Sequence, residues 1–196
     1  MSYAFQDIKH IVEPYLDDLP AHSARREDHY EHLKAIFLRC RHCNIRLNPN
    51  NCIFWVETGQ LLGFIISKDG IKIDPLKVQA ILDMPSPSTL LQLQSLQGKA
   101  NFLRRFVQNY AEIAKGYTRL LRRDIPFFWD EEAQRSFEAL KEALVNASLL
   151  HPPNYTRDFT LYLAASHATI GMVLAQEMDD RQEHVIYYLS KGLSSP

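Results

Sequence analysis

The stretch Leu62-Gly63-Phe64-Ile65-Ile66-Ser67-Lys68-Asp69-Gly70-Ile71-Lys72-Ile73-Asp74-Pro75 decides the fold class, because the pattern changes inside it. Leu61 to Ser67 and Ile71 to Ile73 are strand-like runs rich in aliphatic residues, and Lys68-Asp69-Gly70 between them reads as a turn. Asp74-Pro75 then ends the sheet pattern. A carboxylate there can accept from the free N–H groups of a first helical turn, and proline is pre-shaped for the first helical position. Sheet before this point and helix after it predict an α+β chain with an antiparallel sheet.

Toward the N-terminus, Cys52 to Val56 adds a third strand-like run, set off by Thr58-Gly59. Before the turn Asn48-Pro49-Asn50, the residues Leu33, Ile36, Phe37 and Cys40 fall at i, i+3, i+4 and i+7 of a helix. Ser23, Glu27 and Asp28 suit its start, and Arg39 and Arg41 its end. A short strand pair is expected around Tyr15 to Asp18.

Toward the C-terminus, Pro85-Ser86-Pro87 is a stiff break before a capping-box pattern from Thr89 to Gln92. The helix it opens carries Leu96, Leu103, Phe106 and Tyr110 on one face. Asp130 opens another, with Ala133, Phe137, Leu140 and Leu144 aligned. His151-Pro152-Pro153 marks a second boundary. Beyond it Phe159, Leu161 and Leu163 alternate, Ile170 to Ala175 follows, an acidic turn stands at Asp179-Asp180, and His184 to Ser190 makes a third strand. Three strands without a covering helix cannot bury both faces, so this segment is expected to be part of a larger domain.

With 46% hydrophobic and 23% charged residues in 196, the chain has the composition of a globular protein. Its net charge of -1 hides a segregation that matters more. Between Leu76 and Pro126 eight Lys and Arg stand against three Asp and Glu, an excess of +5, and from Phe127 to Ser148 the balance is -3. Three scattered cysteines make no disulfide framework and favour a reducing compartment. No apolar run approaches a spanning length, and the opening residues lack a signal-peptide pattern. The expectation is an intracellular chain, cytoplasmic or nuclear, without a membrane partner.

The tetrad Tyr15-Leu16-Asp17-Asp18 carries the most chemical information. Adjacent carboxylates at a hairpin tip repel, and they are commonly found together where a divalent cation holds them; Mg2+ bound by carboxylates and phosphates is the working unit of nucleotidyl transfer. A polar hairpin turn without chemistry is the plainer alternative. Cys40 and Cys43 have C-x-x-C spacing near His42, His29, His32 and Cys52, which makes zinc chemically conceivable. The spacing to Cys52 is poor, and Cys40 continues an apolar helix face, so a small buried residue is the preferred reading. His167 and His184 read as surface or satisfied core residues, and no phosphate-cradling loop is present.

The order of motifs adds to this. The string from Leu47 to Phe54, then Leu62-Gly63-Phe64-Ile65-Ile66-Ser67, Gly70-Ile71-Lys72-Ile73-Asp74-Pro75 with Lys77, and Ala100-Asn101-Phe102-Leu103-Arg104-Arg105-Phe106 resembles the consecutive palm and thumb signatures of gypsy-type reverse transcriptases of plant LTR retrotransposons. Leu161 to Ser166, Ile170 to Gln176 and Tyr187 to Lys191 resemble the first three strands of the ribonuclease H-like domain of the same Pol polyproteins. The resemblance implies a truncated palm over residues 1–75, a helical thumb and connection over 76–150 and a partial ribonuclease H-like domain over 151–196. It further implies an ancestral RNA-directed DNA polymerase using Mg2+, with an RNA/DNA primer-template and other Pol segments as partners. Carried over residue by residue, Asp17 and Asp18 match the metal-binding pair of the YxDD box, and Leu62-Gly63-Phe64 matches the primer-grip hairpin. Lys99, Arg104 and Arg105 fall in the basic segment that would track the phosphate backbone.

The chain also departs from the family. Its partner Asp comes from a motif upstream of the YxDD hairpin, and here only Asp7 and Glu13 precede Asp17, in no such motif. Pro14 and Pro20 stand where the family has aliphatic residues and are expected to weaken both hairpin strands. Ala164 occupies the position of the first ribonuclease H aspartate. These departures predict a chain inactive by itself, or a non-enzymatic nucleic-acid or partner-binding module derived from the thumb.

Overall fold

Asp74 caps the helix that follows it. In the computed structural model of the chain, which describes residues 2–193, its carboxylate accepts from the Leu76 N–H at 2.9 Å and Pro75 opens the helix. Met1 and residues 194–196, the outer ends of the first and third expected segments, lie outside the described residues. Two compact units emerge, Met1–Val56 and Glu57–Pro196.

In the first unit a 3-10 helix, Ser2–Ile8, precedes the helix α1, His29–His42. Phe5, Ile11, Val12, Ile36 and Cys40 form its small core. The expected apolar face of α1 is therefore only half used: Ile36 and Cys40 point in, while Phe37 is largely exposed. Ser23 does not cap the helix; its hydroxyl lies 2.9 Å from His29 Nδ1 and 2.7 Å from His32 Nδ1. Cys52 to Val56, expected as a strand, enters no ladder. Trp55 adopts φ +59°, which turns the backbone out of the extended path a ladder requires.

The second unit begins with β1 (Gly59–Leu61), β2 (Phe64–Ser67) and β3 (Gly70–Ile73), antiparallel and paired in that order. The run expected as one strand from Leu61 to Ser67 is folded back at Leu62-Gly63, with φ +53° and +78°. Positive φ at both central residues is what a type I′ hairpin turn demands. Then come α2 (Pro75–Leu82) and α3 (Leu90–Leu103). Thr89 accepts from the Gln92 N–H at 3.2 Å, and the return bond of the capping box goes one residue early, from the Ser88 N–H to Gln92 Oε1 at 2.7 Å.

The helix expected to run through Tyr110 stops at Leu103. A 3-10 turn, Arg104–Phe106, follows, and Asn109 at φ +54° redirects the chain into α4 (Tyr110–Ile113) and α5 (Lys115–Thr118). Leu96, Leu103, Phe106 and Tyr110 are all buried as expected. Their spacing recorded burial, and a 3-10 turn serves burial at three-residue steps as well as an α-helix does. In α6 (Glu131–Val145) the predicted face of Ala133, Phe137, Leu140 and Leu144 is buried, and Asp130 accepts from the Ala133 N–H at 3.0 Å. Each fully buried large side chain of this set contributes about 1.5–3 kcal/mol of transfer free energy.

The last sheet is β4 (Thr160–Ala165), β5 (Thr169–Glu177) and β6 (Glu183–Gly192), antiparallel and in that order. Leu174 faces Tyr187 and Ala175 faces Val185, so Ile186 is an extra residue in β6. This bulge lets Val185 and Tyr188, three positions apart, both pack on the helical core. Leu150 exchanges backbone hydrogen bonds with Ile71 of β3 at 2.8 and 3.1 Å, and the His151 N–H donates to Val185 of β6 at 2.8 Å, so one short segment ties the two sheets together. Gln176, fully buried, holds the strap after it. Its Oε1 accepts from Asn154 N and its Nε2 donates to Asn154 O, both at 2.8 Å, with Arg157 O and Asp158 O at 3.2 Å. One aromatic pair in the core is polar: the Tyr117 and Tyr110 hydroxyls lie 3.4 Å apart. Burial raises both phenols above their ordinary range, Tyr117 far more than Tyr110.

Candidate nucleic-acid interface and carboxylate hairpin

Leu16 and Asp17 form the two-residue tip of a hairpin in the first unit. The Tyr15 N–H donates to Asp18 O at 3.0 Å, the Asp18 N–H to Tyr15 O at 2.9 Å, and the Glu13 N–H to Pro20 O at 3.2 Å. The strand pair expected here is reduced to isolated bridges at Tyr15/Asp18 and Val12/Ala21. Only one proline explains this. Pro20 lies on a rung where it can accept but not donate, so that rung keeps half its bonds. Pro14 lies between rungs, where an N–H has no ladder partner, so it removes nothing.

Leu16 holds φ +49° and is 78% exposed. A left-handed non-glycine residue costs on the order of 1–3 kcal/mol. Asp17 and Asp18 at its side are exposed. Asp7, one of the two earlier acids, is engaged in an ion pair with Arg39. Among the described residues no three His, Cys, Asp or Glu side chains gather where they could hold a metal ion. Two adjacent carboxylates can lean on a hard cation, but phosphoryl transfer through two metals needs carboxylate oxygens from more than one element. The residues present do not make up a two-metal site. The C-x-x-C pair is likewise without a third ligand: Cys40 is buried, burial first and Cys43 second push its thiol up, and Cys52 Sγ donates to Asn48 O at 3.2 Å.

In the second unit the tip of the β1–β2 hairpin lies on the helices. A Cβ at Gly63 would stand 3.2 Å from Lys77 Cε and 3.3 Å from Phe102 Cζ. The Phe64 ring stacks on Phe102 with centroids 4.8 Å apart and planes 9° from parallel, and tilts against Phe106 at 5.4 Å. The Arg105 guanidinium lies 5.8 Å from the Phe64 ring centre and 5.5 Å from that of Tyr187 in β6. Leu62, Gly63, Phe64 and Arg105 are thus brought to one place. Lys99 and Arg104 make other contacts: Lys99 Nζ reaches Met84 Sδ at 3.8 Å, and Arg104 donates to Asn101 Oδ1 at 3.1 Å.

The basic segment is partly neutralised by the acidic helix after it. Arg119 pairs with Asp130 and, at 3.4 Å, with Glu132. The Ala133 N–H first, and Arg119 second, hold the Asp130 carboxyl below its usual range. Lys115 lies 3.8 Å from Glu112. Tyr187 was outside the set of residues singled out from sequence, because nothing local announces that a strand residue meets an arginine eighty-odd positions earlier in the chain. Of the residues set aside, His184 is indeed satisfied, with its ring nitrogens 3.0 Å from His151 Nε2 and 2.8 Å from Asp180 Oδ2. Ala164 lies in β4 opposite Gly171.

Residues 129–196 match the RNase H-like domain found in reverse transcriptase. The chain is 33% identical over 200 residues to the retrovirus-related Pol polyprotein from transposon opus of Drosophila melanogaster, covering 96% of this chain and 20% of that one. To the corresponding polyprotein from transposon gypsy of the same organism it is 32% identical over 184 residues, covering 88% and 18%. The chain spans about a fifth of the length of these curated relatives. Among solved structures, the foamy viral protease-reverse transcriptase dRH in complex with dsDNA has the same fold over 98% of this chain and 34% of that one, at a TM-score of 0.86 and 24% identity. Its complex with an RNA/DNA hybrid matches at 0.83 over 98% and 26%, also at 24% identity. Among the described residues no helix is long and apolar enough to cross a membrane. The chain is accordingly a segment of retrotransposon Pol-polyprotein type, ending in an RNase H-like domain of the kind found in reverse transcriptase.

Proposed function

We propose that this chain is the palm end (1–75), thumb and connection (76–150) and partial RNase H-like domain (151–196) of a gypsy-type reverse transcriptase of plant lineage, and that alone it holds a primer-template without extending it. The observation that carries the reading is the carboxylate hairpin: Asp17 and Asp18 are exposed, and no third metal-ligating side chain joins them among the described residues. Mg2+ belongs to the ancestral reaction, and no step through it is derived for this chain. Nucleic-acid binding is supported by the unpaired cations at the Gly63 hairpin and by the dsDNA and RNA/DNA hybrid in the complexes of the similar viral enzyme. Ala164 supports the plant-lineage assignment, in which the RNase H-like domain acts as a structural connection. A binding module derived from the thumb is the second reading, favoured by the same cations.

Primer extension on an RNA template with Mg2+ tests this, with Asp17→Ala as control and duplex binding followed in the same samples. Salt-sensitive binding without extension is expected. Extension that disappears in Asp17→Ala would overturn the claim of inactivity.

A further inference from the structure

The three arginines and lysines singled out from the sequence differ in one respect that the structure makes plain. Arg104 already donates to Asn101, and Lys99 turns to Met84. Arg105 is exposed, and its guanidinium lies over the rings of both Phe64 and Tyr187, 5.8 and 5.5 Å from their centres. Among the described residues it has no ion pair and no hydrogen-bond acceptor. A cation–π contact takes the charge but none of the N–H donors as hydrogen-bond partners, so they stay free for an acceptor from outside, and their fork matches the oxygens of a phosphate.

We propose that Arg105, held over the rings of Phe64 in the β1–β2 hairpin and Tyr187 in the RNase H-like sheet, is a phosphate ligand for duplex nucleic acid, and that Tyr187 is the residue that positions it. The inference rests on the nucleic-acid reading above and narrows it to one contact. Lys77 supplies a second unpaired cation beside Gly63, and Phe102 and Leu62 at the same tip stay 44% and 41% exposed. Cations next to open aromatic and aliphatic surface suit a phosphate backbone with its sugars and bases better than they suit an acidic peptide. The double contact also has a mechanical consequence. Phe64 and Tyr187 belong to different sheets, so an arginine in contact with both rings loses less rotamer freedom when it binds than a free one would, and it engages the strand from a fixed place.

The test uses the full chain and a labelled RNA/DNA primer-template duplex, with anisotropy followed across a series of KCl concentrations and a competing poly-glutamate. Arg105→Ala should bind about tenfold more weakly, and its log K against log[salt] slope should fall by about one. Arg105→Lys should keep the slope and bind more weakly. Tyr187→Phe should match the parent because the ring is kept, while Tyr187→Leu should weaken binding a few-fold with the slope unchanged, a pattern that general loss of folding does not produce. Circular dichroism melts show whether each variant is folded. If the parent does not bind the duplex, the nucleic-acid reading falls and this inference with it. If the parent binds and Arg105→Ala keeps its slope, the inference alone is overturned. Tyr187→Leu equal to the parent would overturn the positioning by Tyr187, and poly-glutamate competing as well as duplex would overturn the phosphate assignment.

Discussion

Replacing Gly116 with alanine should destabilise the second unit, although alanine is the better helix former by about 1 kcal/mol. Gly116 lies in α5, where that helix meets α6, and an added Cβ would stand 2.6 Å from Glu132 O and 2.8 Å from Ser136 Cβ. Both are shorter than real Cβ contacts, and one of the two is backbone, which no rotamer change can move. Ser136 is itself fixed by its hydroxyl bond to Ile113 O. Overpacking of this kind costs about 1–3 kcal/mol, and displacing Ser136 also loosens its bond to Ile113 of α4, worth about 1 kcal/mol. Against the propensity gain, the net loss is about 2 kcal/mol. At roughly 2–4 °C per kcal/mol for a chain of this size, Tm falls by about 4–8 °C. Gly98→Ala is the control. It sits inside α3 with nothing within 4 Å of an added Cβ, so it should gain about 0.5–1 kcal/mol. Trp129 stands edge-on to Phe137 of α6 with centroids 6.0 Å apart and reports the second unit, and Trp55→Phe removes the signal of the first. A Gly116→Ala chain that unfolds at or above the parent temperature would refute the close approach and the argument built on it.

Asp130 should contribute stability that depends on pH. Its folded pKa is lowered by the Ala133 N–H and Arg119; the contribution is complete above the ordinary carboxylate value, near pH 4, and drains away as pH falls through the lowered folded value. Urea titrations of the parent and Asp130→Asn should therefore converge as pH drops below about 4. Gln176→Leu should cost about 1–3 kcal/mol, because it removes the bonds of a fully buried side chain to Asn154 N and to the Asn154, Arg157 and Asp158 carbonyls of the strap, and hydrogen exchange should quicken first around residue 154. Leu16→Gly should stabilise the hairpin by about 1 kcal/mol, since an exposed leucine loses no packing there and glycine accepts the positive φ freely; an unchanged or lowered unfolding midpoint would count against strain at the tip.

Local chemistry was legible along the chain wherever one residue and its near neighbours decide the outcome. Asp74, Thr89 and Asp130 cap their helices as their types and spacing foretell. The apolar face of α6 is buried and the last three strands form where they are expected, but Phe159, Leu161 and Leu163, expected to alternate with polar neighbours toward a core, stay exposed, as does Tyr162 between them. The errors share one cause. Leu61 to Ser67 looked like one strand because Leu62 is as apolar as its neighbours, yet its positive φ makes it a turn residue. Leu96 to Tyr110 looked like one helix because buried positions recur at three and four, yet Asn109 redirects the chain. Cys52 to Val56 has strand composition and no strand to pair with.

For the candidate sites the division is similar. The sequence alone was enough to mark Asp17, Asp18, the Leu62-Gly63-Phe64 hairpin and a basic stretch, because those depend on residue type and order. Which cations remain available is a matter of distance, and distance is set by packing. Arg119 is consumed by Asp130 and Glu132, whereas Arg105 meets only the rings of Phe64 and Tyr187 and keeps its N–H donors free. Residue type and order thus determined the helix caps, the α+β class and the carboxylate pair, because near neighbours and short-range sterics settle them. Only the tertiary structure decided where the chain turns back and which charges stay open to a ligand, because those depend on residues distant in sequence whose encounter no local pattern encodes.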